Sequence, residues 1–223
     1  MKKHIVSFSG GKDSTAMLIR MVELGMQIDE ILYFDCGNWE FPQMKKHIDR
    51  VEEYISMKIT RLHPKIPFDE LFLKYSFPQF RGRWCTSIKM NALDKGHSHD
   101  IRYIGFSYDE MNRMNKMKNK EKRKKLRFPL IEWGWTEKDC LAYCCSKGFD
   151  WGGLYKYFKR VSCWCCPFQN LNNLRKLRKL FPDLWEKLLN MQKISRNTFK
   201  NGITMFDLEK KFELEDKQKL NLL

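Results

Sequence analysis

The sequence has no run approaching the roughly 20 uninterrupted apolar residues of a membrane span, and its first residues, MKKHIVSFSG, carry no small-residue cleavage site. A membrane protein and a secreted one are both poor readings, and a cytoplasmic location is expected. Acidic residues are in short supply: 27 Asp and Glu stand against 42 Lys and Arg, a formal charge of +15. That imbalance favours a polyanionic partner such as nucleic acid, or a phosphate-rich substrate, without choosing between them. No internal repeat is visible, and no linker rich in Gly, Pro or Ser marks a clean domain boundary. What is present, 43% hydrophobic residues with 14% aromatics, is too apolar for a disordered chain. The 223 residues suffice for one α/β domain with a short appended module rather than two full domains.

Periodicity orders the first part of the chain. His4 to Phe8 reads as a short buried strand, followed by a tight loop and a helix from Thr15 whose Met17, Leu18, Met21 and Val22 recur at helical spacing. Ile31 to Asp35 reads as a second strand, and Pro42 opens a helix with Met44, Ile48, Val51 and Ile55 on one face. A third strand near Lys58 to Leu62 completes a β-α-β-α-β run, which implies a parallel, doubly wound sheet. Beyond it come a short helix at Thr86 to Lys95, a fourth strand at Ile101 to Phe106, a helix near Thr136 to Lys147, and a longer one from Asn172 to Ile194 interrupted at Pro182. The expected division is an α/β domain over residues 1–170, the cysteine cluster included, and a helical extension over 171–223.

The loop Ser9-Gly10-Gly11-Lys12-Asp13-Ser14 lacks the G-x-x-x-x-G-K-[ST] spacing, so an ordinary P-loop NTPase is not indicated. Its two glycines nonetheless let the backbone turn sharply after a strand. Successive N–H groups and a helix N-terminus then point at one place, which suits an anion. Ser9, Ser14 and Thr15 add hydroxyl donors and Lys12 a positive charge, enough to hold a pyrophosphate; the plain alternative is a Gly-rich turn without a ligand.

This hexapeptide resembles the pyrophosphate loop of the adenine-nucleotide α-hydrolase-like fold, and within it the phosphoadenosine phosphosulfate (PAPS) reductase family. Later segments resemble the same family in the same order: Asp35-Cys36-Gly37 with Glu40-Phe41-Pro42, Arg83-Trp84-Cys85-Thr86 with Lys89, Gly105 with Asp109-Glu110 and Arg113, Pro129-Leu130-Ile131 with Trp133, and Arg160 to Pro167. Phe106 departs from the pattern, standing where Arg is usual. The resemblance covers about residues 4–170. It implies that the backbone of Ser7, Phe8 and Ser9 and the side chain of Asp35 surround an adenosine, with Gly105 opposite. It also implies that Ser9, Gly10, Gly11, Asp13, Ser14 and Thr15 hold the phosphates of ATP with Mg2+, and that Lys12, Asp13 and Arg113 act on the reacting groups.

Eight cysteines in a reducing compartment suggest metal, redox or packing roles rather than disulfides. Cys140, Cys144 and Cys145 fall on a predicted helix, where cysteine packs as a small hydrophobe. Cys163-Trp164-Cys165-Cys166-Pro167 differs, because its Cys-x-x-Cys offers two thiolates to one metal. The resemblance places Cys85 near the same site, and it implies that Cys85, Cys163 and Cys166, with Cys165 available as a fourth ligand, hold a [4Fe–4S] cluster as in the fold's thiolating members; Zn2+ is the alternative and free thiols in a Trp-rich core the plain reading. No cysteine follows Cys166, whereas the resemblance places the nucleophile of assimilatory reductases in a C-terminal "E-C-G-x-H" tail. The sequence therefore looks more like the ATP-dependent thiolation enzymes of DNA and tRNA modification.

Two basic runs complete the pattern. Arg113 to Arg127 holds nine Lys or Arg among fifteen residues and reads as a loop or mobile arm, and Arg175, Lys176, Arg178 and Lys179 lie on a later helix. Each alone is a solvated surface; together they favour nucleic acid, DNA or tRNA. The expected activity is α-phosphate cleavage of ATP to AMP and pyrophosphate, serving sulfur transfer to nucleic acid with a sulfur-donor protein. The alternatives are a sulfonucleotide reductase and a non-catalytic, nucleotide-gated nucleic-acid-binding partner.

Overall fold

A parallel sheet of short, apolar strands organises the chain. The structure, a computed structural model, describes residues 2–116, 123–161 and 163–220, the side chains of 219 and 220 excepted. Among these residues the strands are β1 (His4–Phe8), β2 (Glu30–Phe34), β3 (Ile59–Leu62), β4 (Ile101–Ile104) and β5 (Leu126–Arg127), in the order β3-β2-β1-β4-β5, each neighbouring pair parallel. Val6 of the central strand lies beside Ile31 on one side and Tyr103 on the other, and Ile5 and Val6 are fully buried. Apolar residues facing both ways suit a strand covered on both faces. The longer helices are α1 (Lys12–Glu23), α2 (Pro42–Ile55), α3 (Phe68–Tyr75), α4 (Trp84–Asp94), α5 (Glu137–Ser146), α6 (Leu171–Leu180), α7 (Pro182–Ile194) and α8 (Met205–Leu220).

The chain divides into two compact units, one formed by Met1–Cys36, Phe41–Pro64 and Lys89–Val161, the other by Gly37–Glu40, Lys65–Ile88 and Ser162–Leu223. The first holds the sheet, α1, α2 and α5, with α5 packed along α1. Helix α2 buries Met44, Ile48, Val51 and Ile55, the face that its spacing predicts, and starts at a proline whose missing N–H costs nothing there. In the second unit Trp39 meets Phe68, Phe72 and Trp84 edge-on at centroid distances of 5.4, 6.0 and 5.5 Å. Leu174, Leu177 and Leu188 form the buried face of α6 and α7, which Pro182 separates as expected.

Two expectations need correction. Helix α1 begins at Lys12, not Thr15, because Gly11 takes the extended N-cap conformation and its carbonyl accepts from Thr15 N at 2.9 Å. Lys12, Asp13 and Ser14 are thus the first helical turn rather than loop. The basic arm is not all loop: Met111–Asn115 is a short helix, and Leu126–Arg127 pairs with β4, a two-residue strand too short and too charged to show in any apolar pattern. The middle of the arm, 117–122, lies outside the described residues. Helix α8 lies in the helical extension expected over 171–223, although its own sequence shows little amphipathic contrast.

Sheet order reverses between β1 and β4, the crevice where ligands of such sheets bind. Gly105, just after β4, makes that crevice tight: a Cβ built there would lie 2.9 Å from Ser14 Cα and 3.0 Å from Ser14 N, backbone atoms that cannot swing away. We expect Gly105→Ala to lower unfolding free energy by about 1–3 kcal/mol, the usual cost of overpacking, in denaturant titrations. A variant as stable as the parent would mean that the β4 end is free to shift.

Candidate functional site

The first turn of α1 and the loop before it form a closed set of donors. Gly10 adopts a φ of +73°, open to glycine, and any Cβ there would meet Ile48 Cδ1 at 2.6 Å. Ser9 N donates to Ser14 Oγ at 3.2 Å, the two hydroxyls are 2.9 Å apart, and Ser14 Oγ donates to the Gly11 carbonyl at 3.1 Å. The Gly10 carbonyl accepts from Trp151 Nε1 at 2.7 Å, and Lys12 N donates to the Tyr155 hydroxyl at 2.9 Å. Trp151 itself has a φ of +53°, a strained value for a bulky residue, held by that bond and by stacking on His47 at 4.4 Å. Thr15 is a correction: its hydroxyl is fully buried and 3.0 Å from His47 Nε2, so it faces the core rather than a ligand.

Charge gathers at the same turn. Lys12, 5% exposed, places its ammonium 2.7 Å from Glu137 Oε2 and 3.3 Å from Asp13 Oδ2. Burial pushes the Asp13 carboxyl up to about 6 against the pull of Lys12, and its Oδ1 is buried without a hydrogen-bond partner. Burial acts to raise Glu137 as well, but the Lys12 hydrogen bond and charge hold it below the usual carboxylate range. Glu137 stands in the first turn of α5, fixed by a capping box between Thr136 and Asp139. Nearby in sequence to β4, Glu110 accepts from Arg113 at 2.6 Å and Arg160 at 2.5 Å, and Arg113 also covers the Phe106 ring at 4.2 Å. Two guanidiniums on one carboxylate leave a net positive charge suited to an anion. Glu137, Arg160, Tyr155 and Trp151 were not singled out as site residues from sequence. The expected helix start near Thr136 already put Glu137 at a helix end; its pairing with Lys12, 125 residues away, had no local signal.

Other expected residues fall as follows. Ser7 and Phe8 end β1, with Phe8 buried; Asp35 follows β2, its N–H bonded to the Leu62 carbonyl at 2.9 Å and its carboxylate 3.9 Å from His63 Nδ1. Both strand ends lie on the carboxyl edge of the sheet.

The cysteines are not in disulfides. Cys140 and Cys144 are fully buried, and burial holds their thiols well above the usual range, as packing residues should be. Cys145, expected in the core with them, is exposed, because the buried face of α5 takes positions four apart and passes it by. In the second unit Cys163 and Cys166 bracket a turn in which Cys166 N donates to the Cys163 carbonyl at 3.2 Å and Gln169 Nε2 donates to the Cys163 carbonyl at 3.3 Å and the Trp164 carbonyl at 2.7 Å. Cys165 is fully buried, and its thiol is raised by that burial and then by the charges of Cys163, Cys166 and Cys85. Among the described residues no three Cys, His, Asp or Glu side chains are arranged to hold a metal ion.

The two arginines of the second basic run are neutralised. Arg175 pairs with Glu215 at 2.6 Å, and Arg178 with Glu209 at 2.9 Å and Asp216 at 2.6 Å, all from α8. These arginines fasten two helices and do not belong to an open basic surface. Near the cysteine turn Phe158 and Trp164 are buried and Tyr157 is exposed.

An all-parallel, doubly wound sheet with a donor-lined turn at its reversal point defines an α/β domain of the nucleotide-handling kind. The family model described as the phosphoadenosine phosphosulfate reductase domain matches residues 3–169, and the chain belongs to that family. Two relatives from Methanocaldococcus jannaschii are similar to it. Uncharacterized protein MJ0066 is 32% identical over 203 residues, covering 85% of this chain and 41% of that protein. Uncharacterized protein MJ0973 is 25% identical over 198 residues, covering 84% and 47%. The chain spans less than half the length of either. No helix among the described residues is long and apolar enough to cross a membrane.

Acid tests the site. His47, which burial and then Arg50 depress to about 3, supports folding in full above its unfolded value of 6.5 and loses that support as pH falls towards 3. Asp13, raised to about 6 from 3.8, acts in the opposite direction: its contribution is complete below 3.8 and is lost as pH rises through 6. The two offset each other between about pH 6 and 4. Asp13→Asn removes one of them, so its unfolding free energy relative to the parent should fall on acidification across that window, by up to about 1.4 kcal/mol per pH unit. A pH-independent difference would place Asp13 in water.

Proposed function

We propose that the chain is an ATP-binding enzyme that activates a substrate oxygen by adenylation and serves sulfur transfer to nucleic acid, DNA or tRNA. The supporting observation is the first turn of α1. Hydroxyls of Ser9 and Ser14, the Gly10-Gly11 backbone and the Lys12 ammonium converge at the sheet reversal, beside a carboxylate oxygen of Asp13 that lacks a partner. The substrate oxygen attacks the α-phosphorus, the bond to the β-phosphate oxygen breaks, and pyrophosphate leaves with the electron pair. Sulfide-level sulfur released by a donor protein then attacks the substrate atom that carries the activated oxygen; the new bond to sulfur forms as the bond to that oxygen breaks, and AMP leaves with the oxygen and the electron pair. Lys12 and the two serines hold the phosphates, with the Asp35 carboxylate and Gly105 at the adenosine. Arg113 and Arg160, converging on Glu110, meet the charge that grows on the leaving pyrophosphate.

The orphaned Asp13 oxygen fits a single carboxylate ligand of Mg2+, which when bound would neutralise phosphate charge. The thiols of Cys85, Cys163 and Cys166, with Cys165 behind them, suit an iron–sulfur cluster or zinc by donor chemistry alone. Their side chains are not gathered as ligands, and no step above passes through such a group. Family membership favours a second reading, a sulfonucleotide bound in the same turn and reduced.

Release of pyrophosphate from ATP separates the two, since the second reading yields sulfite from a sulfonucleotide instead. Ser14→Ala should weaken ATP binding at least tenfold by calorimetry while circular dichroism stays unchanged, and unaltered affinity would remove the turn from the site. Cys85→Ser, Cys163→Ser and Cys166→Ser should each lower the iron or zinc content of anaerobically purified protein, whereas Cys140→Ser should not. Full metal content in all three would return those thiols to the core.

A further inference from the structure

The second unit exposes a group that the nucleotide reading leaves unused. Phe80 is 78% exposed, the highest value among the large apolar side chains described, and Phe168 is 41% exposed. Leaving a phenyl ring in water forgoes roughly 1.5–3 kcal/mol of burial. Between them stands a cation: Arg83 Cζ lies 4.1 Å from the Phe168 centroid and 5.3 Å from that of Phe80. Neither Arg83 nor Arg81 pairs with a carboxylate among the described residues, in contrast to Arg175 and Arg178 of the same unit.

The chain is braced on both sides of Phe168 and a few residues before Phe80. Lys200 Nζ donates to the carbonyls of Pro167 and Gln169, both at 2.6 Å, one on either side of Phe168. On the Phe80 side, Asn197 exchanges hydrogen bonds with the Phe77 backbone at 3.1 and 3.0 Å, and Gln79 Nε2 donates to the Thr198 carbonyl at 3.1 Å. Exposed rings on fixed backbone lose little further freedom when something stacks on them.

Aromatic faces with unpaired guanidiniums match one chemistry closely. A base stacked on an aromatic side chain contributes about 1–3 kcal/mol whatever its identity, and the flanking phosphates take bidentate bonds from arginine. A duplex hides its base faces and would gain only the phosphate contacts. An apolar protein surface would leave both guanidiniums without partners. We propose that Phe80, Arg81, Arg83 and Phe168 form a stacking platform for an unpaired stretch of nucleic acid. The proposal rests on the function above for the role of that strand as acceptor, and stands on its own as a binding site.

Fluorescence anisotropy with a labelled 12-nucleotide single strand, as DNA and as RNA, and with a 12-base-pair duplex tests it, using the full chain without ATP across a salt series. At least one single strand should bind tenfold or more tightly than the duplex. Phe80→Ala should weaken that binding by about 5- to 150-fold, the stacking range converted to affinity, while Phe80→Trp retains it. Replacing Arg81 and Arg83 by Gln should flatten the log–log salt slope by about 0.7 for each phosphate that is no longer neutralised. Phe80→Ala binding as tightly as the parent, or a duplex bound as well as the single strand, overturns the platform. So does a protein that ignores both oligonucleotides and binds anionic vesicles through Phe80. Pyrophosphate release from ATP, measured on the same preparations, keeps the two proposals apart: binding without release sinks the adenylation reading alone, and release without Phe80-dependent binding sinks the platform alone.

Discussion

The contact between the end of β4 and the start of α1 is the constraint on which the first unit depends. Gly105 lies so close to the Ser14 backbone that no side chain fits between them. That approach exists because β1 and β4 are neighbours that leave the sheet in opposite topological directions, one towards β2 and the other towards β5. A crevice of this kind is usually where a ligand binds. Here its floor is backbone, and the donors of the turn are therefore set by the sheet rather than by a loose loop. Gly10 contributes the complementary restriction from below, where α2 presses Ile48 against it.

On that floor the charges are arranged to wait for something. A lysine with almost no solvent exposure must be paired, and Lys12 is paired twice. Asp13 is held only on one oxygen, and burial leaves its carboxyl close to half-protonated near pH 6. An incoming phosphate would compete with Glu137 for the Lys12 ammonium, while a cation would complete Asp13. The neighbouring carboxylate Glu110 holds two arginines in the same way. These are satisfied clusters whose members can exchange internal partners for a ligand's, which differs from an open basic patch that merely attracts one.

The positive charge of the whole chain is distributed unevenly between tasks. Part of it in the second unit is structural, as the pairs between α6 and α8 demonstrate. Composition alone cannot distinguish an arginine that ties two helices from one that faces water, because both count the same in a net charge of +15. Arg175 and Arg178 have carboxylate partners on α8, whereas Arg81 and Arg83 pair with no carboxylate among the described residues.

Sequence by itself determined the strands through β4, the apolar face of α2, the break at Pro182 and the glycine-rich turn, because these depend on local periodicity, proline geometry and glycine's freedom at positive φ. The family too was legible, since its motifs are short and ordered along the chain. Other features were decided only by tertiary structure. β5 exists because an edge of β4 needed a partner, not because Leu126–Arg127 favours a strand. Thr15 turned to His47, and Glu137 to Lys12, across separations of 32 and 125 residues. Cys145 faces outward while Cys140 and Cys144 face α1's side of the core, a matter of helix phase fixed by packing. Hydroxyls, carboxylates and thiols have no preferred partner written in local sequence; burial selects one by making an unpaired polar group costly.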